Sequence, residues 1–433
     1  MRILLTANAS YVPPRGGATR SNIVWLDLLA RAGHECRIVC SDLARDPAGK
    51  QEQLQSEGIH ADIEAGSSDD VEIVRHGAIL VFATAAPQRR RRLLREQIRQ
   101  FRPDWVLVSS EDLGQVLLRE AAEAAPGRIV YLAHTPQLFP FGPASWNPNP
   151  DGAGLVRDAA AIVAIGEHTA DYIARHAGRR PAVIHPPIYG QGPFEDYSCF
   201  DAGLVTMINP CALKGISVFF ALARRFPQYG FAALPGWGTT AADRRALEKL
   251  PNVTLLPNAN HIEEVLRRTR VLLMPSLWYE GFGLSVMEAL LHGIPVIASD
   301  SGGLAEAKLG TRFVVPVQPI ERFEPIFDEH GLPAAVIPEQ DIEPWAHALS
   351  ALLTSASMYA EESRVSREKA LHFVAGIRPG QLEEFLASLV PPAPESAGVP
   401  DVRDLHGELA SLSPEKRALL LARIRRRRHP ESA

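Results

Sequence analysis

Residues 275–306 read PSLWYEGFGLSVMEALLHGIPVIASDSGGLAE. The apolar run VLLM at 271–274 precedes them and reads as a buried parallel strand. Gly281 and Gly283 make a tight turn. From Leu284 to His292 the apolar residues Val286, Leu290 and Leu291 fall on one helical face, and Gly293 supplies the stop. Residues 294–298, IPVIA, read as a second short strand. Strand, glycine turn, helix and strand, in that order, make one unit of a doubly wound parallel sheet. In such sheets ligands sit beyond the carboxyl ends of the strands.

The chemistry of the stretch suits an anionic ligand that carries hydroxyls. The N–H groups near Gly283, Leu284 and Ser285 open the helix without intrahelical partners, at the positive end of its dipole, where a phosphate is favoured. Glycines at 281 and 283 let a ligand come close to the backbone. Glu280 precedes the turn and Glu288 sits one turn into the helix. A carboxylate only accepts hydrogen bonds and can grip two neighbouring hydroxyls. Two such groups beside a phosphate site point to a ligand with hydroxyls at both ends, as in a sugar nucleotide. On spacing alone, an ordinary β–α unit with surface carboxylates is the other reading.

The whole stretch resembles the E-x7-E signature of retaining GT-B glycosyltransferases, the group 1 (family 4) type. The resemblance implies that Glu280 contacts the transferred sugar and that Glu288 holds the ribose. It implies that Phe282, Gly283, Leu284 and Ser285 bind sugar and phosphate through backbone N–H groups. It also implies an α/β fold of GT-B type, two facing Rossmann-like domains. We place an acceptor domain at 1–190, a nucleotide-sugar domain at 203–375 and a helix crossing back to the first domain at 376–390.

The first domain opens with RILLT (2–6), TRSNIVWLDLLARA (19–32) and HECRIVC (34–40), a strand, a helix and a strand. No G-x-G-x-x-G opens the helix, which argues against a nicotinamide or flavin enzyme. Gly16 and Gly17 resemble the glycine loop that faces the diphosphate in this family; a flexible surface loop is the alternative. Residues 42–75 read as irregular. Strands are expected at 78–84, 103–109, 128–133 and 162–165, and helices at 89–101, 113–124 and 167–177. The arginines at 89–92 read as a solvated helix face. His134 stands at the carboxyl end of a strand, before the Pro-rich aromatic segment that runs to Trp146. It resembles a histidine that approaches the donor sugar in part of the family, and a buried structural histidine is the alternative.

In the second domain a strand at 204–208 leads through NPCALKG to a helix at 216–225. Lys214 resembles the family's diphosphate-neutralising lysine. The arginine usual a few residues earlier is replaced by Asn209 and Pro210, and Asn209 is taken into the nucleotide-sugar site. Gly236, in the GWG loop after the strand 231–234, occupies a position near the nucleotide base. A strand at 253–256 and a short helix at 261–268 follow, and backbone groups near that helix are expected to hold the base. Glu306 is placed at the cleft. Residues 311–340 read as irregular, and helices are expected at 342–356, 359–374 and 380–389.

Composition fits this reading. The chain has 433 residues, enough for two domains, and a formal charge of −5, so no global field favours nucleic acid or an anionic membrane. The four cysteines, Cys36, Cys40, Cys199 and Cys211, are scattered, without zinc-ligand pairing or a disulfide framework. With no apolar run long enough to span a bilayer and no leader pattern, a cytoplasmic location is expected.

A Pro-rich linker at 391–403 precedes a tail at 404–433. There Leu405, Leu409 and Leu412 have helical spacing, and SPEKRALLLARIRRRR opens with a capping serine and ends in arginines. The tail, through residues 404–428, resembles helical segments that dock nonribosomal peptide or polyketide synthetase subunits. A terminal helix packed on its own protein and a basic membrane-surface helix are the alternatives.

Taken together, the sequence reads as a retaining, metal-independent glycosyltransferase using a UDP, GDP or dTDP sugar, with no further cofactor. His134, Lys214 and Glu280 are its catalytic candidates. The acceptor is expected to be a small or carrier-bound molecule of natural-product type, with a cell-envelope glycan as the alternative. A sugar-nucleotide epimerase, and a nucleotide-sugar-binding subunit with little catalysis, are the rival readings.

Overall fold

The computed structural model describes residues 1–11, 16–41, 62–63, 70–259 and 261–392. The first sheet has nine strands: β1 Arg2–Thr6, β2 Glu35–Cys40, β3 Asp62–Ile63, β4 Glu72–His76, β5 Ile79–Ala83, β6 Trp105–Ser109, β7 Ile129–Ala133, β8 Ala161–Ala164 and β9 Ala182–Val183. Their order is β3-β4-β5-β2-β1-β6-β7-β8-β9. β6 and β7 are buried along their whole length, as central strands covered by helices on both faces must be. The sheet is parallel except at one edge, where β3, β4 and β5 run antiparallel.

That edge differs from the irregular segment expected at 42–75. His76 pairs with Ile79, so Gly77 and Ala78 form a two-residue hairpin loop, and Gly77 takes a φ of +58°. The strand EIVRH buries only Val74 fully and needed this partner to be recognised. The helix expected from 113 begins at Val116 instead, because Gly114 and Gln115 adopt φ of +84° and +53° and cannot continue a helical turn.

The second sheet is all parallel, with β10 Leu204–Ile208, β11 Phe231–Leu234, β12 Val253–Leu255, β13 Thr269–Met274, β14 Val296–Ser299 and β15 Val314–Val315 in the order β12-β11-β10-β13-β14-β15. Beyond it, β16 Phe323–Phe327 pairs antiparallel with β17 Pro333–Ala335. This hairpin lies where irregular chain was expected. Its prolines and exposed apolar residues gave no alternation to read.

In both sheets the chain reverses its direction of travel beside the first strand: between β1 and β6 in one, between β10 and β13 in the other. Such reversals open a crevice at the carboxyl ends of the strands. Helix Gly16–Arg31 leads out from the first crevice and helix Leu284–Leu291 from the second. In the latter helix Val286 through Leu291 are all buried. Helix Gln381–Ser388 lies against the first of these helices. Its Leu382 and Leu386 share an apolar cluster with Trp25 and Leu29, and Glu383 lies 3.0 Å from His34 Nε2.

Among the described residues no helix is long and apolar enough to cross a membrane. The four cysteines are free thiols, with Cys199 exposed. Apart from Pro391 and Pro392, the expected linker and helical tail lie outside the described residues.

Candidate active site

The two crevices face each other across a cavity of about 690 Å³. On the side of the second sheet, β10 and β13 part and their loops supply the polar groups. Lys214 closes the 3-10 turn Ala212–Lys214 after β10. Glu280 follows β13, and its backbone is pinned by a bridge to Gly302 and by the Gly303 N–H donating to its carbonyl at 2.8 Å. The Lys214 ammonium donates to Glu280 Oε1 at 2.5 Å, and both side chains are largely shielded from solvent. The same ammonium lies 5.4 Å and 5.8 Å from the ring centres of Trp278 and Trp237, within cation–π range.

Gly283 takes a φ of +113° and starts helix Leu284–Leu291, a conformation open to glycine and costly for other residues. The helix thus points its first N–H groups, those of Leu284 and Ser285, at the cavity they line. Phe282 reaches the cavity with its backbone, because its ring is buried and stacks on Phe373 at 5.7 Å. At Gly281 an added Cβ would come within 2.1 Å of the His134 carbonyl oxygen. That glycine is where the second crevice meets the first.

Asn209 is buried just past β10, and its Oδ1 accepts the Gly238 N–H at 2.9 Å. The Gly236 N–H in turn donates to Thr239 Oγ1 at 3.0 Å. The Asn209 oxygen is therefore spent on shaping the 236–239 loop, and its Nδ2 is buried without a hydrogen-bond partner.

Across the cleft, Gly16 and Gly17 line the cavity at the start of their helix, and Gly17 abuts the Leu284 side chain. His134 is buried; its Nε2 donates to Asn22 Oδ1 at 2.9 Å, while Asn22 Nδ2 donates to Ser109 Oγ. Burial pushes its pKa down to about 3, so the ring is neutral and its unpartnered Nδ1 offers a lone pair. The histidine can accept a hydrogen bond but supplies no positive charge.

The cavity brings together eleven of the twelve residues expected from the sequence: His134, Lys214, Glu280, Gly16, Gly17, Asn209, Gly236, Phe282, Gly283, Leu284 and Ser285 all line it. Glu288 does not. It lies one turn deeper, buried, with Oε1 3.0 Å from Arg20 Nη2 of the opposite helix. Burial raises its pKa and Arg20 opposes that rise.

Sequence reasoning missed Arg20 and Glu111. Arg20 lies one helical turn past Gly16 and Gly17, so helical spacing alone aims it at the same place. Glu111 follows β6 as His134 follows β7. Ser109 pairs with Leu132, which puts the two polar residues side by side when the register is continued. Glu111 Oε2 is buried without a partner, and burial raises its pKa to about 7. Glu306 does reach the cleft, but its carboxylate is already engaged. It accepts the N–H groups of Glu167 and His168 at 2.9 Å and 2.8 Å and so caps the opposing helix Glu167–Ala177.

Comparison with known proteins agrees with this architecture. Residues 15–189 match the profile of glycosyltransferase family 4, and residues 232–355 that of glycosyl transferases group 1. Sucrose-phosphate synthase of Thermosynechococcus elongatus superposes with a TM-score of 0.63 at 14% identity, over 90% of this chain and 100% of that one. HepE of Anabaena, solved with UDP-glucose, superposes with a TM-score of 0.61 at 16% identity, again over 90% and 100%. A curated exopolysaccharide phosphotransferase of Streptomyces coelicolor is 25% identical over 181 residues, 39% of this chain and 17% of that protein's length. The two matched segments take in most of each sheet and the 280–288 segment, and the superpositions span 90% of the chain: the chain belongs to the group 1 glycosyltransferases and has the GT-B fold.

Proposed function

We propose that the protein transfers a sugar from a nucleotide-diphosphate donor to an acceptor hydroxyl, with retention of anomeric configuration and without a metal. The observation that carries this reading is the placement of Lys214 and Glu280 together, beside the opening turn of helix Leu284–Leu291. When the anomeric C–O bond breaks, the departing diphosphate gains negative charge. Lys214 and the N–H groups of Leu284 and Ser285 are positioned to stabilise it, a preorganised electrostatic contribution. Glu280 accepts hydroxyls of the transferred sugar. His134 lines the cavity as a neutral ring beside the transferred sugar. The acceptor oxygen attacks from the face the diphosphate leaves, and a donor phosphate oxygen takes its proton, so no protein nucleophile is needed.

Uridine nucleotides are the first donors to test, since HepE was solved with UDP-glucose. The acceptor is a natural product of assembly-line type or a cell-envelope glycan. Deleting residues 404–433 separates the two, because the first reading requires a synthetase partner held by that tail. The reaction itself is tested by proton NMR of the product with EDTA present. An α-linked product from an α-linked donor supports the reading. Inversion, or activity that EDTA abolishes, contradicts it.

A further inference from the structure

Each permanent cation of the cavity is paired with a carboxylate, and the lining also holds Glu111, whose Oε2 has no partner. Among the described residues that line the cavity, the permanent cations are Arg20 and Lys214, and each is bonded to one of the two glutamates of the 280–288 segment. Lys214 meets Glu280 at 2.5 Å, and Arg20 meets Glu288 at 3.0 Å. Both pairs are neutral as they stand. A nucleoside diphosphate brings at least two negative charges, and one ammonium already committed to a carboxylate is a poor match for them.

The two helices that face the cavity are arranged rung against rung. Gly17 touches Leu284 at their first turns, and one turn further along Arg20 meets Glu288. The guanidinium on Glu288 therefore lies roughly one helical pitch, about 5 Å, from the N–H groups that open helix Leu284–Leu291. A change of rotamer in a long side chain spans that distance. The Arg20 side chain is 45% exposed, so it is free to turn, whereas Glu288 is 9% exposed and fixed in place. The loop after β10 contributes a neutral Asn209 beside Lys214, with its oxygen engaged, so a second cation has to come from elsewhere.

We propose that Arg20 is the second diphosphate-binding cation of this site, delivered by the first sheet's helix and held on Glu288 until the donor arrives. The proposal rests on the nucleotide-sugar reading above. Ribose hydroxyls take over the Glu288 carboxylate, and the released guanidinium turns to the phosphates, which it matches as a bidentate donor. Each glutamate thus exchanges a cation for hydroxyls, and each cation exchanges a carboxylate for phosphate oxygens. The swap couples nucleotide binding to contact between the two halves of the cleft.

Calorimetric titration of the full chain tests this. The probes are UDP, ADP, GDP and dTDP, with the matching nucleoside for whichever diphosphate binds wild type best. Arg20→Ala is expected to weaken that diphosphate by about tenfold, the scale of one lost charge-assisted contact. The same variant should bind the nucleoside no more weakly than wild type, because it frees Glu288 for the ribose, and Arg20→Lys should recover part of the diphosphate loss. The tenfold loss should shrink as salt is raised. Equal weakening of nucleoside and diphosphate would reduce Arg20 to a strut between the helices and overturn the proposal, as would unchanged diphosphate affinity. Failure of wild type to bind any of the four diphosphates would instead remove the nucleotide-sugar reading, and this proposal with it, before any variant is measured.

Discussion

Lys214 Nζ and Glu280 Oε1 stand 2.5 Å apart on loops that follow neighbouring strands of the second sheet. On the function proposed above, the acid thus occupies the cation assigned to the diphosphate until a donor arrives. Glu280→Gln keeps the shape and removes the negative charge. We expect this variant to bind the nucleoside diphosphate, which lacks the sugar, several-fold more tightly than wild type, by roughly 1 kcal/mol. Its turnover of the complete donor should fall by about a hundredfold or more. Calorimetry and a nucleotide-release assay read the two effects separately.

Glu111 makes stability depend on pH. Burial raises its folded pKa to about 7, above the ordinary carboxyl value of 4.5. Between those values the folded chain holds a proton that the unfolded chain has lost. The contribution is therefore present below pH 4.5 and is lost as pH rises through 7, by at most about 3 kcal/mol. Glu111→Gln should flatten denaturant midpoints between pH 5 and 8 and be the more stable protein at pH 8. An unchanged pH slope in the variant would show that Glu111 ionises freely.

Lys308 and Glu362 form a pair inside the second half of the chain, at 3.2 Å and 0% and 3% side-chain exposure. Lys308 also donates to the Val296 carbonyl at 2.6 Å, and burial lowers its pKa to about 8. Replacing it with Met strands a buried carboxylate, which costs about 3–5 kcal/mol. Lys308→Met combined with Glu362→Leu should recover most of that loss. Urea denaturation of the three proteins checks both statements, and a double variant no better than the single one would contradict them.

Glu306 ties the two halves of the cleft by capping helix Glu167–Ala177 from the far side. Glu306→Ala leaves two amides at the positive end of that helix without their acceptor, worth about 1–2 kcal/mol. Hydrogen exchange at the Glu167 and His168 amides should speed up about tenfold or more, with exchange in β6 unchanged. Uniform acceleration across the fold would mean general unfolding instead of a loosened contact.

Much of the candidate site's placement is legible in the sequence because its signals are local. Gly283, the apolar face of the helix after it and the acids at 280 and 288 lie within one short stretch, and the strand ends that carry His134 and Lys214 are bounded by plain apolar runs. The pairings were not legible, because they join residues far apart in sequence. Glu288 reads as a free ribose acceptor until Arg20 is seen against it across the cleft. Glu306 reads as a cleft acid until helix Glu167–Ala177 is seen to need it. Glu111 obeys the same strand-end rule as His134, but a carboxylate there looks solvated until burial of its Oε2 is known. β4 was missed because its hairpin partner, not its own composition, makes it a strand.

The most direct test of the central claim is nucleotide release by the purified chain across UDP, GDP, dTDP and ADP sugars, beside Glu280→Gln and Lys214→Ala. Slow release is expected, selecting one donor class and falling by about a hundredfold or more in both variants. Release that is the same in all three proteins, or no release and no thermal stabilisation by any donor, would contradict a sugar-nucleotide-cleaving site at Lys214 and Glu280.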